Sequence, residues 1–368
     1  MQGKVEASAV YVQQGAEVLS KSFGIARDPN AIFLLASISK TISIAAVMTL
    51  FDDGHFDLDD HVNRYISDFR GDGRDKITMR QLMTHVSGLP DQLPENTQLR
   101  ASHAPLSEFV AATVKTPLLF EPGTRYNYSS MAILLAAEVA QRISGLSIAE
   151  LAQERIFKPL QMTHSAMGLG TFRLTEVVMN QVELSAPESG AGAPSAKSWD
   201  WNSPYWRELG APWGTAHASA KDVAIFLREF LHPTDKILKR TTIELMIRNQ
   251  NPPAIRPRGL WSDLGKIGNT PHLSTETFGH TGSTGTICWA DPAIDAICVI
   301  PTTLPSSRKL AAPQRYRCSA HRRGTAIGLG NLRKTACDYA KVTRVNLPTG
   351  RSPAHGSLIR QRGYSKRS

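Results

Sequence analysis

Residues 34–54 read LLASISKTISIAAVMTLFDDG, and within them Ser37-Ile-Ser-Lys40 sets a serine three positions ahead of a lysine. Ile42, Ala45, Ala46 and Leu50 recur at helical spacing, and Asp53-Gly54 supplies a stop, so the pattern predicts a helix over roughly 37–52. On a helix, positions i and i+3 share a face, which would stand Lys40 beside Ser37. Ser37 would lie in the first turn, where free N–H groups and the helix dipole favour an alkoxide and a developing oxyanion. A nearby amine accepts the serine proton if burial or another cation lowers its pKa from about 10. The same spacing recurs at Ser306–Lys309, but there it follows Leu304-Pro305 with no apolar helix behind it. Context selects Ser37.

Outward from this helix, strands are expected at both ends of the chain and helices between. Residues 8–13 and 16–23 flank a turn at Gln14-Gly15 and read as a hairpin. Thr78-Met-Arg-Gln81 is a capping-box pattern opening a short helix, and 131–143 and 219–231 are apolar-faced helices. Strands return at 278–282, 284–290 and 295–301. That order suits an α+β fold: one antiparallel sheet built from both termini, with flanking helices and an inserted, mostly helical subdomain. Boundaries follow at about 1–55 and 215–307 for the sheet part and 56–214 for the insertion. Residues 185–198 (SAPESGAGAPSAKS) read as a loose loop beside four tryptophans, 199, 201, 206 and 213, which either rim a site or anchor the loop.

Two further stretches bear on chemistry: EPGTRYNYSS at 121–130 and FGHTGSTG at 278–285. A Ser-x-x-Lys, then a Tyr- or Ser-centred element, then a Lys-Thr-Gly-like strand is the set used by serine β-lactamases and penicillin-binding proteins. With ITMRQLMTHVSGLPD (77–91) and SAKDVAIFL (219–227), the chain resembles the serine β-lactamase-like superfamily over roughly residues 8–303. That superfamily comprises class C β-lactamases, D-alanyl-D-alanine peptidases and family VIII carboxylesterases.

The resemblance implies roles position by position. Ser37 would be the acyl-accepting nucleophile, Lys40 its proton partner and Tyr128 the second acid/base, with Tyr126 a rival for that role. His280-Thr281-Gly282 would line one wall of the cleft, and the N–H groups of Ser37 and Ser283 would form the oxyanion hole. Two positions depart from the family pattern. Ser130 stands where Tyr-x-Asn has its Asn, losing an amide for a peptide or β-lactam substrate. His280 stands where Lys-Thr-Gly has its fixed cation, and a histidine is largely neutral near pH 7 unless perturbed. Both tilt the reading from lactams and peptides toward small, short-chain esters. A β-lactamase or D-amino-acid peptidase of the same fold is the alternative, and a non-catalytic scaffold the alternative from another class. His85 is expected to brace its loop.

The remaining composition sets bounds. With 41% hydrophobic and 20% charged residues over 368 positions, the chain is ordinary for a globular protein. No Gly-x-Ser-x-Gly, P-loop or His-Glu-x-x-His motif occurs, and the acidic run from Asp52 to Asp60 lacks the glycine and glutamate positions of a calcium loop. No metal or cofactor is implied, and the partner expected is a small ester or amide. No apolar run is long enough to span a membrane, and the start lacks an apolar leader core, so a cytoplasmic location is expected. Cysteines 288, 298, 318 and 337 show no metal spacing. If Asp291 and Asp295 close a hairpin, Cys288 and Cys298 fall directly opposite each other as reduced thiols on one sheet face. The net charge of +10 is uneven: residues 308–368 hold 15 of the 42 basic residues and one of the 32 acids, leaving the rest at 27 basic and 31 acidic, net −4. Nucleic-acid binding is therefore not expected of the body. The 308–368 tail reads as a polyanion-binding extension, a divergent C-terminus or a shifted reading frame, and its composition favours the last, which would leave the outer sheet face without a cover.

Overall fold

The computed structural model describes residues 5–305, apart from 266, 271 and 272. Nine strands lie among them: β1 Ala7–Gln14, β2 Glu17–Gly24, β3 Phe33–Leu34, β4 Ser165–Met167, β5 Ala216–Ala218, β6 Asp263–Leu264, β7 Phe278–Thr281, β8 Ile287–Asp291 and β9 Ala296–Ile300. Six of them form one antiparallel sheet in the order β2-β1-β9-β8-β7-β6, so the N-terminal hairpin pairs with the last strand as the sequence suggests. The β1–β2 turn is two residues long, and Gly15 takes the left-handed conformation it requires. β3, β5 and β4 form a second, small sheet that sequence periodicity does not reveal, because strands of two or three residues carry no alternation.

Both faces of the large sheet are buried along β1, β8 and β9. Ala9, Tyr11, Cys288, Ala290, Ile297 and Val299 face the main core, while Val10, Val12, Trp289, Cys298 and Ile300 pack on the other side. This corrects the register expected for the cysteines. Cys288 pairs with Val299 and Cys298 with Trp289, so the two thiols are free and lie on opposite faces. The hairpin closes one residue later than the sequence suggests, at Asp291–Ala296. Pro292–Ile294 forms a 3₁₀ turn, Asp295 is left-handed (φ 46°), and Asp291 accepts the Ala293 N–H across the loop. A one-residue slip moves a side chain to the opposite face. Cys318 and Cys337 lie outside the described residues, as do Ser306, Lys309 and the 308–368 tail.

The helices are α1 Ser39–Asp52, α2 Met79–Met83, α3 Asn96–Ala101, α4 Leu106–Lys115, α5 Ser130–Ser144, α6 Ile148–Ala152, α7 Pro204–Glu208, α8 Ala220–Leu231 and α9 Arg240–Ile247. α1 is buried on nearly every side, which explains its apolar run: Ile42, Ile44, Val47, Met48 and Leu50 are all in the core. Its buried hydroxyls are satisfied locally or against the α7–β5 segment. Thr41 Oγ1 donates to the Ile38 carbonyl (2.8 Å), Ser43 Oγ donates to the Pro212 carbonyl (2.9 Å), and Ser39 Oγ accepts the Ala216 N–H (2.8 Å). α2 carries the expected capping box at Thr78 and Gln81. α8 lies across β1, β8 and β9, and its Phe226 and Phe230 join Trp261 and Phe278 in an aromatic cluster that fixes β7 against the segment entering β6. Among the described residues, no single helix is long and apolar enough to cross a membrane.

The stretch 185–198 is not the loose loop its composition suggests. It folds into 3₁₀ turns at Pro187–Ser189 and Pro194–Ala196, buries Ser189 and Ala196, and its Glu188 carbonyl accepts from Asn96 Nδ2 at 3.1 Å. Trp199, Trp201, Trp206 and Trp213 are all buried, so they anchor this region rather than rim an opening. The small, polar composition of the loop hides the aromatic platform that immobilises it.

Candidate active site

Three segments converge on Ser37. The first is the chain leaving β3, which the small sheet holds through the Leu35 N–H to Ala216 carbonyl bond (2.8 Å). Ala36 then takes a left-handed conformation (φ 48°), a strained setting for a residue with a side chain, and the 3₁₀ turn Ala36–Ile38 runs into α1. Ser37 therefore sits in this turn, just ahead of α1, and is the partly exposed residue between buried neighbours. Lys40, in the first turn of α1, is 1% exposed. Its Nζ lies 3.2 Å from Ser37 Oγ, donates to the Trp213 carbonyl at 2.9 Å, and stands 4.8 Å from the centre of the Tyr128 ring. Burial is the largest influence on its amine. The carboxylate of Asp91 opposes it and the Arg258 guanidinium reinforces it, and the pKa comes down to about 7.

The second segment, 126–130, leads into α5. Tyr128 closes the group; burial raises its pKa, the Ser37 hydroxyl opposing that rise, and its own hydroxyl makes no close hydrogen bond. His85 braces this segment, as expected. It is buried and left-handed (φ 62°), its carbonyl accepts the Asn127 N–H (2.9 Å), its Nδ1 accepts the Ser129 N–H (3.2 Å), and its ring lies 4.6 Å from that of Tyr128. Tyr126 instead faces Arg256, 5.0 Å from its ring, and Arg258, away from the Ser37–Lys40 pair. Ser130 is the first residue of α5, and it does not present its hydroxyl to the cleft. Its N–H (2.9 Å) and Oγ (2.6 Å) both donate to Asp91 Oδ1, and the residue is buried. The position of the family's amide is thus occupied by a capping contact to a carboxylate.

The third segment is the end of β7 and the turn after it. Gly282 is glycine for a steric reason: a Cβ there would sit 2.4 Å from the Leu35 carbonyl oxygen. Thr284 Oγ1 donates to the Leu34 carbonyl (3.1 Å), so this turn is clamped to the backbone leading to Ser37. Thr281 is exposed and Ser283 partly so. His280 is buried, and both ring nitrogens are engaged: Nδ1–H donates to the Thr281 carbonyl (2.7 Å), which leaves Nε2 to accept from Arg258 Nη2 (3.3 Å). Burial, more than the opposing Asp263 carboxylate, drives its pKa down to about 4, so the ring is neutral at pH 7.

The sequence reading missed Arg258, Asp263 and Asp91. Arg258 is buried, paired with Asp263, and donates to the Trp261 carbonyl at 3.3 Å. Nothing local in PRGLWSDLG marks it, because its partner His280 is 22 residues away. Asp91 lies in the SGLPD run, and only the fold brings it to Ser130. The arrangement brings together a hydroxyl, an amine whose pKa is lowered to about 7 and a buried phenol. That is the equipment of acyl transfer through a serine.

Comparison with known proteins agrees. The family model for Beta-lactamase matches residues 1–322. A protein of Salmonella agona named as a D-alanyl-D-alanine carboxypeptidase is 24% identical over 306 residues, covering 76% of this chain and 70% of its own. Among solved structures, a family VIII carboxylesterase superposes with a TM-score of 0.68 at 18% identity, covering 82% of this chain and 87% of that one. A penicillin-binding protein homologue from Caulobacter crescentus superposes at 0.65 and 19% identity, covering 81% and 87%. The matched family spans the sheet, the helices and all three converging segments, and the chain belongs to the Beta-lactamase family of serine hydrolases.

Proposed function

We propose that this hydrolase is a carboxylesterase that acts on small, short-chain esters through an acyl-enzyme on Ser37. The Ser37 proton passes to the neutral Lys40 amine as Oγ bonds to the ester carbonyl carbon. The resulting oxyanion is held by the N–H groups of Ser37 and Ser283, where a donor of this kind contributes ~3–4 kcal/mol in hydrolases of other folds. The carbon–oxygen bond to the alcohol then breaks, Tyr128 gives its proton to the departing alkoxide, and Lys40 returns a proton to Tyr128. Water attacks the acyl-enzyme by the reverse sequence, releasing the carboxylic acid and restoring the Ser37 hydroxyl.

The observation that carries the ester reading is the state of His280. A D-alanyl peptide or a β-lactam brings a carboxylate to the position where the family has its Lys-Thr-Gly lysine. Here that residue is a neutral imidazole, and the guanidinium behind it is buried and paired with Asp263. An ester needs no such cation. The buried Ser130, with its hydroxyl committed to Asp91, removes the second contact that a peptide or lactam amide would use.

A fluorophosphonate probe should label Ser37, and the label should vanish in Ser37→Ala. Short p-nitrophenyl esters should turn over with higher kcat/KM than the cephalosporin nitrocefin. A reversed order would replace the esterase reading with the β-lactamase one, and no labelling of folded protein would leave a scaffold.

A further inference from the structure

Arg258 has no place in the scheme above, yet its contacts lead into the site. A guanidinium is costly to bury, and a merely structural one would be expected to bind backbone carbonyls and a carboxylate. Arg258 does bind the Trp261 carbonyl and Asp263, but its Nη2 also donates to His280 Nε2, and its guanidinium carbon lies 5.9 Å from the centre of the Tyr128 ring. It is held rigidly: Trp261, three residues on, is fixed in the aromatic cluster with Phe230 and Phe278, and β6 pairs Asp263 with Gly279 beside His280.

We propose that Arg258 is a positioning residue of the acyl-transfer site, supplying from inside the protein a fixed positive charge that acts on the proton-transfer groups and not on the substrate. It acts in two ways. By donating to His280 Nε2 it holds the ring as the Nδ1–H tautomer, which fixes the Thr281 carbonyl and with it the strand edge that meets the substrate. Its charge, lying behind Tyr128 and His280, disfavours a second cation at Lys40 and so helps keep that amine free to take the serine proton. The charged groups acting on Lys40 are Asp91, from the region after α2, and Arg258, ahead of β6; its ammonium lies over the Tyr128 ring and also bears on His85 and His280, while Arg256 acts on His85 and Asp263 on His280. Asp91 pulls the lysine toward the charged form and Arg258 pushes it away, so the pair sets opposite biases on one amine.

The proposal rests on the acyl-transfer reading, and its test is separable from that reading because Ser37 labelling reports the nucleophile independently. The test is the acid limb of kcat/KM for p-nitrophenyl acetate in wild type, Arg258→Lys, Arg258→Met and Asp263→Asn, each checked for a native near-ultraviolet circular dichroism spectrum. Removing the charge in Arg258→Met should move the midpoint of the limb up by about one pH unit, close to a tenfold loss at pH 6. Asp263→Asn, which leaves Arg258 unneutralised, should move it down. Arg258→Lys keeps the charge and should stay near the wild-type midpoint while losing rate, because a single ammonium cannot serve Asp263 and His280 in the planar geometry. If Arg258→Met does not fold, the contrast between the lowered midpoint of Asp263→Asn and the unchanged midpoint of Arg258→Lys carries the test. Equal midpoints in all folded variants, with only a uniform loss of rate, would reduce Arg258 to a structural brace and overturn the proposal.

Discussion

The two walls of the cleft are built on different terms. On the α1–α5 wall, Ser37, Lys40 and Tyr128 come from the turns at two helix starts, with Lys40 Nζ 3.2 Å from Ser37 Oγ and 4.8 Å from the centre of the Tyr128 ring. On the β7 wall, His280 points back into the protein and satisfies both ring nitrogens there, leaving Thr281 exposed and Ser283 partly so. One wall holds reactive groups with few competing partners; the other has withdrawn its ionisable residue from substrate. On the proposed reading, the contrast separates proton transfer from substrate recognition, and substitutions on the two walls should fail in different ways.

The largest effect belongs to the first wall. Lys40→Met should lower kcat/KM for a p-nitrophenyl ester by about 10²–10⁴, the usual worth of a positioned general base, without loss of thermal stability, since it exchanges a desolvated amine for an apolar chain of similar length. Steady-state kinetics and a melting curve check both halves, and an active Lys40→Met would break the distinction between the walls. In the wild type, the same amine should impose a pH dependence. With its pKa depressed to about 7, Lys40 is protonated below that value, so kcat/KM should fall close to tenfold per pH unit on the acid side and level off above about 8.

Tyr128→Phe should cost about 10²-fold in kcat/KM and Tyr126→Phe only a few-fold, because only Tyr128 lies over Lys40. Stability should be unaffected in Tyr128→Phe, whose lost hydroxyl leaves no close partner unsatisfied. On the second wall, the double variant His280→Lys with Ser130→Asn should raise the nitrocefin-to-ester ratio of kcat/KM by about tenfold or less, because it restores the recognition groups but not their surroundings. A far larger swing would show that those two residues alone set specificity. Smallest in activity but visible in stability, Gly282→Ala should cost about 1–3 kcal/mol, as the added methyl presses the β7 turn off the Leu35 carbonyl.

What the sequence could and could not disclose follows the range of the interactions. The grouping of Ser37, Lys40 and Tyr128 was legible because each sits in a short motif whose spacing already dictates a shared face or a helix start. The sheet built from both ends was legible in its strands, but the β8–β9 register was not, since it hangs on one left-handed aspartate in a four-residue loop. Ser130 as the first residue of α5, with its N–H and hydroxyl committed to Asp91, and His280 as a ring tied to Arg258 were invisible for the same reason: their partners are 39 and 22 residues away, and no local pattern announces them. His85 shows the middle case, where a buried histidine in a loop motif could be read as a brace but not traced to the carbonyl and ring nitrogen that do the bracing.

The central claim, that Ser37 carries the acyl group, is tested most directly by trapping it. Wild-type protein mixed with p-nitrophenyl acetate, quenched in acid within the first turnovers and analysed by peptide mass spectrometry should carry one acetyl group on the peptide containing Ser37. The adduct should be absent from Ser37→Ala and retained in Ser306→Ala. Acetyl found on another residue, or turnover that continues in Ser37→Ala, would contradict the account.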